Sequence, residues 1–304
     1  MATTDVTGRV GNWSRWGDDD ERGALNLITP EAVLAAARGC KTGKVYPLGL
    51  PIQRAGVPIF EYRGAPQRLT LVSASDKDMY LEYGAAPGVG ANEDVLVMAS
   101  HSITHMDALC HVFAEGHIYN GYPSTEFASH SGAPRCGIEK TAGFAGRAVM
   151  LDLPAHQGVQ WLEPGTVITD DDLEACRSAQ GSELRTGDVL LIRTGWLDKF
   201  FSLAPGEPPP FEQPGIGYAA VDFVVDNEVA ALGADNAAIE AIPFDRNMFL
   251  GIHIELLRNR GVTFLEHLKL ADMAADGCLE GLFTVGGLPV TGATGSPINP
   301  IVIG

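Results

Sequence analysis

Three histidines and one aspartate fall within eleven residues of this chain, in the run Ser100-His101-Ser-Ile-Thr-His105-Met-Asp107-Ala-Leu-Cys-His111. The spacing is H-x3-H-x-D-x3-H. Imidazoles and a carboxylate are a standard donor set for a borderline divalent ion such as zinc, manganese or iron. The spacing also constrains the backbone. In one straight strand His101 and His105 stand about 13 Å apart, at ~3.3 Å per residue. Two ligands of one ion need donor atoms within roughly 3–4 Å of each other, because each bond is ~2.1 Å long. On a helix His101 and His105 share a face, but Asp107 and His111 point away from it. The sequence therefore predicts a tight turn after a strand at 94–99, leading into a helix or loop around 109–113.

A divalent ion lowers the pKa of water from about 15.7 towards ~7 and polarises a carbonyl oxygen. The imidazole of His111 can take a proton and return it to a leaving group. The chain has no GxxxxGK[ST] loop, no GxGxxG after a strand and no G-x-S-x-G elbow. Hydrolysis of an acyl bond is then the simplest reaction these residues support. Two other readings stay open. The same metal with His111 could abstract a proton α to a carbonyl, as a dehydratase, isomerase or cyclase does. Alternatively, the chain binds metal without catalysis.

Elsewhere the histidines have less company. His253 and Glu266 lie thirteen residues apart in GIHIELLRNRGVTFLEHLKL, and spacing alone does not join them to the cluster. His117, His130, His156 and His267 are read as surface or core residues. Asp235-Asn236 is read as a turn after a strand. Among the aromatics, Phe60 and Tyr119 are the substrate-binding candidates, with Trp13, Trp16, Tyr62 and Phe113 as further pocket-lining possibilities.

The elements that must position these residues are mostly strands. Candidates are 44–50, 68–72, 94–99, 147–153, 188–193, 231–234 and 263–266. The apolar run Val189-Leu-Leu-Ile192, between Gly187 and Gly195, reads as a strand covered on both faces. Helices are predicted after Thr29-Pro30 and after Thr169-Asp170, where a capping residue precedes the run, and at 219–231 and 266–277. Strand–helix alternation in the second half indicates α/β packing. The stretch 204–217 (APGEPPPFEQPGIG) is read as a surface loop able to cover the site. Residues 1–28 are read as an N-terminal arm of a single domain spanning 1–304, with Trp13 and Trp16 packed on something.

The chain has 304 residues, 45% of them hydrophobic, enough to bury a substantial core. With 21 Lys and Arg against 38 Asp and Glu, its net charge is −17. An acidic surface repels phosphate backbones and anionic lipid heads, so nucleic acid and membrane are not expected as partners. The five cysteines form no CxxC, so a thiolate metal site is not expected. No signal peptide and no apolar run of ~20 residues is visible, which points to the cytoplasm.

The segment His101-Ser-Ile-Thr-His-Met-Asp-Ala-Leu-Cys-His111 resembles the H-x-G-T-H-x-D-x-x-x-H signature of the cyclase family of metal-dependent hydrolases, which includes bacterial kynurenine formamidase, isatin hydrolase and trans-dienelactone hydrolase. Trp16-Gly17, Gly23 through Pro30, Tyr119-Asn-Gly121, Arg193-Thr-Gly-Trp196, Gly233 through Asn236 and Gly295-Ser-Pro297 also fit, in order. The resemblance implies an α/β fold of the swivelling β/β/α type, with mixed β-sheets flanked by helices, and hydrolysis of a C–N or C–O acyl bond in a small-molecule substrate. It implies that His101, His105 and Asp107 bind a first metal, and that His111 shuttles the proton. In dinuclear members Asp107 and Glu266 bridge to a second ion, also held by His253. The ion is Mn2+ or Zn2+, one or two per chain, and a homodimer or homotetramer is implied. Two positions depart from the pattern. Ile103 stands at the signature glycine, and a β-branched residue disfavours positive φ, so a different turn backbone or pocket wall is expected. Leu109-Cys110 replaces the Pro of formamidases, which speaks against kynurenine formamidase activity itself.

Overall fold

The computed structural model describes residues 11–141 and 143–304; the first ten residues of the expected N-terminal arm lie outside the described residues. The strands are β1 (Val45–Pro47), β2 (Gln67–Val72), β3 (Glu93–Val97), β4 (His105–Asp107), β5 (Phe144–Asp152), β6 (Val167–Ile168), β7 (Val189–Arg193), β8 (Gly215–Ile216), β9 (Ala231–Ala234), β10 (Thr263–Glu266), β11 (Glu280–Val285), β12 (Gly295–Pro297) and β13 (Ile301–Ile303). The helices are α1 (Pro30–Arg38), α2 (Leu153–Gln157), α3 (Asp170–Gln180), α4 (Trp196–Phe201), α5 (Ala220–Asp226) and α6 (Ala271–Ala275).

Nine strands form one mixed sheet, in the order β1-β13-β11-β5-β7-β9-β10-β4-β12. Its centre, β5 through β10, is parallel, and both flanks are antiparallel. The central strands are the continuous apolar runs of the sequence, because helices cover both faces of a parallel sheet. Val189, Leu190, Leu191, Ala231 and Leu232 are fully buried. Helices α1 and α3 start where the capping residues predict. Thr29 Oγ1 accepts from the Ala32 N–H, and Thr169 and Asp172 form a reciprocal capping box. The mixed sheet flanked by helices is the α/β architecture expected from the sequence.

Some elements differ from expectation. The helix anticipated at 266–277 spans only Ala271–Ala275, and residues 266–270 leave β10 as a turn. The loop 204–217 ends in β8, and its residues 204–209 line a cavity with residues 54–57 and Ile59 that contains none of the clustered histidines. Strands β4, β6, β8, β11, β12 and β13 do not stand among the expected ones; β4 and β12 are three residues long, and β6 and β8 only two. Trp13 and Trp16 pack against the chain's own core. The Trp13 indole N–H donates to the Arg258 carbonyl at 3.0 Å, and the Arg258 guanidinium lies 4.5 Å from its ring centroid. All five cysteines are free thiols. Among the described residues no helix is long and apolar enough to cross a membrane.

Candidate metal centre

The residues of the H-x3-H-x-D run meet where β10, β4 and β12 lie side by side. After β3 the chain turns, with the Ser102 N–H donating to the Ala99 carbonyl, and re-enters the sheet as β4. The expected turn is present and the chain around 109–113 is a loop, one of the two forms expected; the strand β4 between them was not expected. His105 and Asp107 are two apart on β4 and share one face. On β10, Glu266 pairs directly with His105 across the antiparallel ladder. His101 comes back from the turn against β12. A Cβ at Gly295 would stand 2.6 Å from His101 Cε1, so only glycine admits the ring there.

His253 arrives from a π-helical segment, His253–Arg258, a wide turn that often marks functional sites. Its Nδ1 lies 2.6 Å from Glu240 Oε1. The ring N–H therefore donates to Glu240, and Nε2 faces Asp107 Oδ2 at 3.7 Å and Glu266 Oε1 at 3.6 Å. His105 donates its Nδ1–H to the Ile103 carbonyl at 2.8 Å. Its Nε2 lies 3.1 Å from Glu266 Oε2 and 3.6 Å from Asp107 Oδ1. His101 Nδ1 donates to Asp107 Oδ1 at 2.8 Å, and its Nε2 accepts from Thr294 Oγ1 at 2.9 Å. His111 stacks on His101, with centroids 3.8 Å apart. The sequence-predicted residues His101, His105, Asp107, His111, His253 and Glu266 thus come together.

The donors fit a cation. His105 Nε2, Asp107 Oδ2 and Glu266 Oε1 are buried and have no hydrogen-bond partner. Orphaned buried polar atoms cost roughly 1–3 kcal/mol each, and an ion satisfies all three. Ligands ~2.1 Å from one ion stand roughly 3–4 Å apart, which matches the 3.1–3.7 Å separations here. Two groups of donors lie within 4.8 Å of one another and share Asp107. One is Asp107, His253 and Glu266; the other is His101, Asp107 and His111. His111 therefore sits at ligand distance as well as at the place of a base, and His101 must exchange one of its two hydrogen bonds to become a ligand.

The electrostatics favour an anionic pair of carboxylates. Burial works against the charge of Asp107, but His111, His101 and His105 outweigh it and hold the carboxyl well below its usual range. Burial and Asp107 work against the Glu266 charge; His105 and His253 outweigh them and lower its pKa. Burial disfavours a charged His253 too, yet Glu240 and then Glu266 raise it to about 10. Burial dominates at His111 and pushes it down to about 3, against the pull of Asp107, so its lone pair stays available near neutral pH.

Sequence reasoning missed three neighbours of the cluster. Glu240 orients His253, and Thr294 holds His101. His267, read as surface or core, is buried with its Nδ1 3.0 Å from the Ile103 carbonyl and its ring 6.1 Å from that of His105. A lone acid in the apolar stretch Ala237–Pro243 was the available signal for Glu240. Asp235 sits in a turn at the end of β9, where it accepts from the Thr194 and Gly195 N–H groups. Ile103 corrects the expectation of an altered turn backbone, since its φ is 57°. It adopts the glycine conformation, and its side chain packs in a buried cluster with Trp196 and Leu197. The strain, of order 1–3 kcal/mol, is held by that packing and by the two imidazoles bonded to its carbonyl. Phe60 stacks on Trp196 and His267 beside the cluster. Tyr119 is fully buried, and its hydroxyl donates to Asp20 at 2.8 Å; it forms part of the core that seats the N-terminal arm.

A cavity of about 320 Å³ reaches the cluster at His111 and Thr294, with Phe113, Ile118, Phe127 and Pro134 beside Glu126 and Arg135 in its lining.

The Cyclase family model matches residues 46–241. Cyclase-like protein 3 of Oryza sativa subsp. japonica is 25% identical over 300 residues, covering 92% of this chain and 96% of that protein. A crystal structure of a novel cyclase is 36% identical and superposes with a TM-score of 0.87, over 97% of this chain and 100% of that one. Isatin hydrolase A from Labrenzia aggregata, solved bound to benzyl benzoate, shares the fold with a TM-score of 0.61 at 16% identity, over 86% of this chain and 93% of that one.

Proposed function

Because the chain belongs to the cyclase family, we propose that it is a metal-dependent hydrolase that opens a cyclic amide or lactone, or cleaves a small aryl amide or ester. One observation carries this reading. Unpartnered buried donors of His105, Asp107 and Glu266 converge with His253 and His111, and His111 also lines a largely apolar cavity.

A divalent ion such as Mn2+ or Zn2+, when held by these residues, supplies Lewis acidity that lowers the pKa of water and polarises an acyl carbonyl. His105, Asp107, Glu266 and His253 supply donors for one ion, and His101 with Asp107 supplies donors for another. His111 is neutral near pH 7, so its ring nitrogen can accept a proton from the attacking water and deliver it to the departing nitrogen or oxygen. Phe113, Phe127 and Ile118 offer apolar contacts to a flat substrate group in this cavity. The likeness to isatin hydrolases makes a cyclic amide the first substrate to try. The acidic chain acts in the cytoplasm on a small molecule, without nucleic acid or membrane as partner.

The test is hydrolysis of a panel of cyclic amides, lactones and aryl amides by the manganese- or zinc-loaded protein in 18O-water. One 18O atom in the product carboxylate is expected. Turnover with no label in the product would replace hydrolysis by elimination or isomerisation at the same centre.

A further inference from the structure

The helical segment 251–260 carries His253 at the start of its π-helical turn, His253–Arg258, and ends inside the protein, where Arg258, Asn259, Arg260 and Gly261 are all buried. Carbonyls at the end of a helix have no partner within it, and a buried carbonyl without a donor is costly. Here the donors come from the other end of the chain. The Trp13 indole N–H donates to the Arg258 carbonyl at 3.0 Å, and the Asn12 N–H to that of Asn259 at 3.0 Å. The Asn12 side-chain amide donates to the Arg260 carbonyl at 3.1 Å, and the Ala24 N–H to that of Gly261 at 2.8 Å. Residues 12–24 thus cap four successive carbonyls. The approach is close: a Cβ at Gly23 would stand 2.3 Å from the Gly261 carbonyl oxygen. The same residues grip the loop that follows His111. The Asn120 side-chain amide donates to the Gly17 and Asp20 carbonyls, each at 3.1 Å, and its oxygen accepts from the Ser14 N–H at 2.7 Å. Arg258 links the two sides. Its guanidinium lies against the Trp13 ring and donates to the Ala114 and His117 carbonyls of that loop, at 3.0 and 3.2 Å.

We propose that Trp13 and Arg258 are positioning residues of the metal centre. Trp13 caps the turn that carries His253, and Arg258 holds that turn to the loop that follows His111. A π-helical turn is rare and departs from the α-helical geometry of the residues on either side of it, so its shape depends on what fixes its ends. Without the caps, four buried carbonyls lose their donors, and the turn recovers partners by rewinding. Rewinding re-aims the His253 ring, whose Nε2 now faces Asp107 at 3.7 Å and Glu266 at 3.6 Å. Arg258 spans both sides of the centre, so both loosen together. The link also runs in reverse. Coupling between two sites is reciprocal, so an ion on His253 holds residues 12–24 down on 258–261. This inference rests on the metal-centre reading and adds to it two residues that are not donors to the ion.

Calorimetric titration of the chelated full chain with Mn2+ tests it, on wild type, Trp13→Ala and Trp13→Phe. Partners that orient a ligating histidine typically contribute 10–100-fold in metal affinity, so Trp13→Ala is expected to bind Mn2+ at least tenfold more weakly. Phenylalanine keeps a ring over Arg258 and loses the indole N–H, so Trp13→Phe is expected between the two. If the alanine variant does not fold by circular dichroism, Trp13→Phe against wild type decides. Val302→Ala is the control. It opens the core at a buried residue of β13, towards the opposite edge of the sheet from β4 and β12, and is expected to keep wild-type affinity. Wild type that binds neither Mn2+ nor Zn2+ would remove the metal-centre reading and this inference with it. Wild-type affinity in the folded Trp13 variants, or equal weakening in Val302→Ala, would overturn this inference and leave the metal centre standing.

Discussion

Glu240→Gln isolates a part of the site outside the H-x3-H-x-D run. The carboxylate is buried, accepts from His253 Nδ1 at 2.6 Å, and faces the Ile252 and His253 N–H groups at 3.3 Å. Glutamine keeps the volume and an oxygen for the ring N–H but removes the charge. Burial alone would lower the His253 pKa; Glu240 and Glu266 outweigh it and hold it at about 10 in the metal-stripped protein. Relative to an unfolded value near 6.5, that is worth roughly 5 kcal/mol, at about 1.36 kcal/mol per pH unit. The folded pKa is raised. The contribution is therefore fully present below about pH 6.5 and lost as pH rises through about 10. Stripped Glu240→Gln should then be less stable than wild type by about 2 kcal/mol or more near pH 6.5, with the gap closing towards pH 10. In the loaded protein, partners that orient a ligating histidine typically contribute 10–100-fold in metal affinity. Denaturant midpoints of chelated protein from pH 6 to 10 and calorimetric titration with Mn2+ measure both effects. Equal midpoints near pH 6.5 together with equal manganese affinity would refute the claim that Glu240 sets the state of His253.

At Ile103 the usual ranking should invert. Alanine loses the buried packing but keeps the strained φ, whereas glycine loses the packing and the strain. Both variants should fall below wild type by about 2–4 kcal/mol, with Ile103→Gly more stable than Ile103→Ala by about 1 kcal/mol in urea denaturation. His111→Asn should keep at least one equivalent of metal while kcat drops about 10²–10⁴-fold; loss of all metal would make His111 a ligand before it is a base. Since burial holds His111 down to about 3, the rate should show no fall near pH 6.5 from its protonation. Manganese affinity should nevertheless weaken as pH falls from 8 to 6, because protons compete for the imidazole nitrogens; a pH-independent Kd would contradict histidine ligation.

The cluster was legible because ligand types at dense spacing are rare by accident, and geometry alone required a turn before Asp107. The central strands were legible as unbroken apolar runs such as Val189–Ile192. β4 was not: three residues, His-Met-Asp, carry no periodicity, and only pairing with β10 and β12 makes them a strand. Glu266 joins the site because β10 runs antiparallel to β4 with Glu266 opposite His105, and His253 joins it from the π-helical segment that Glu240 holds, pairings that thirteen residues of spacing cannot show. Tyr119 shows the limit of residue type. An aromatic next to a ligand run suits a pocket or a core equally, and its hydroxyl found Asp20 from ninety-nine residues away. Ile103 shows the reverse case, where a residue poorly suited to positive φ takes it because buried packing pins it there.

The central claim is that these side chains hold a divalent ion, and metal content tests it most directly. Wild type and His105→Ala would be chelated, reloaded with Mn2+ or Zn2+, desalted and measured by mass spectrometry. The account predicts about one or two equivalents in wild type and loss of at least one in the variant. No retained metal in wild type, or the same content in both proteins, would contradict it.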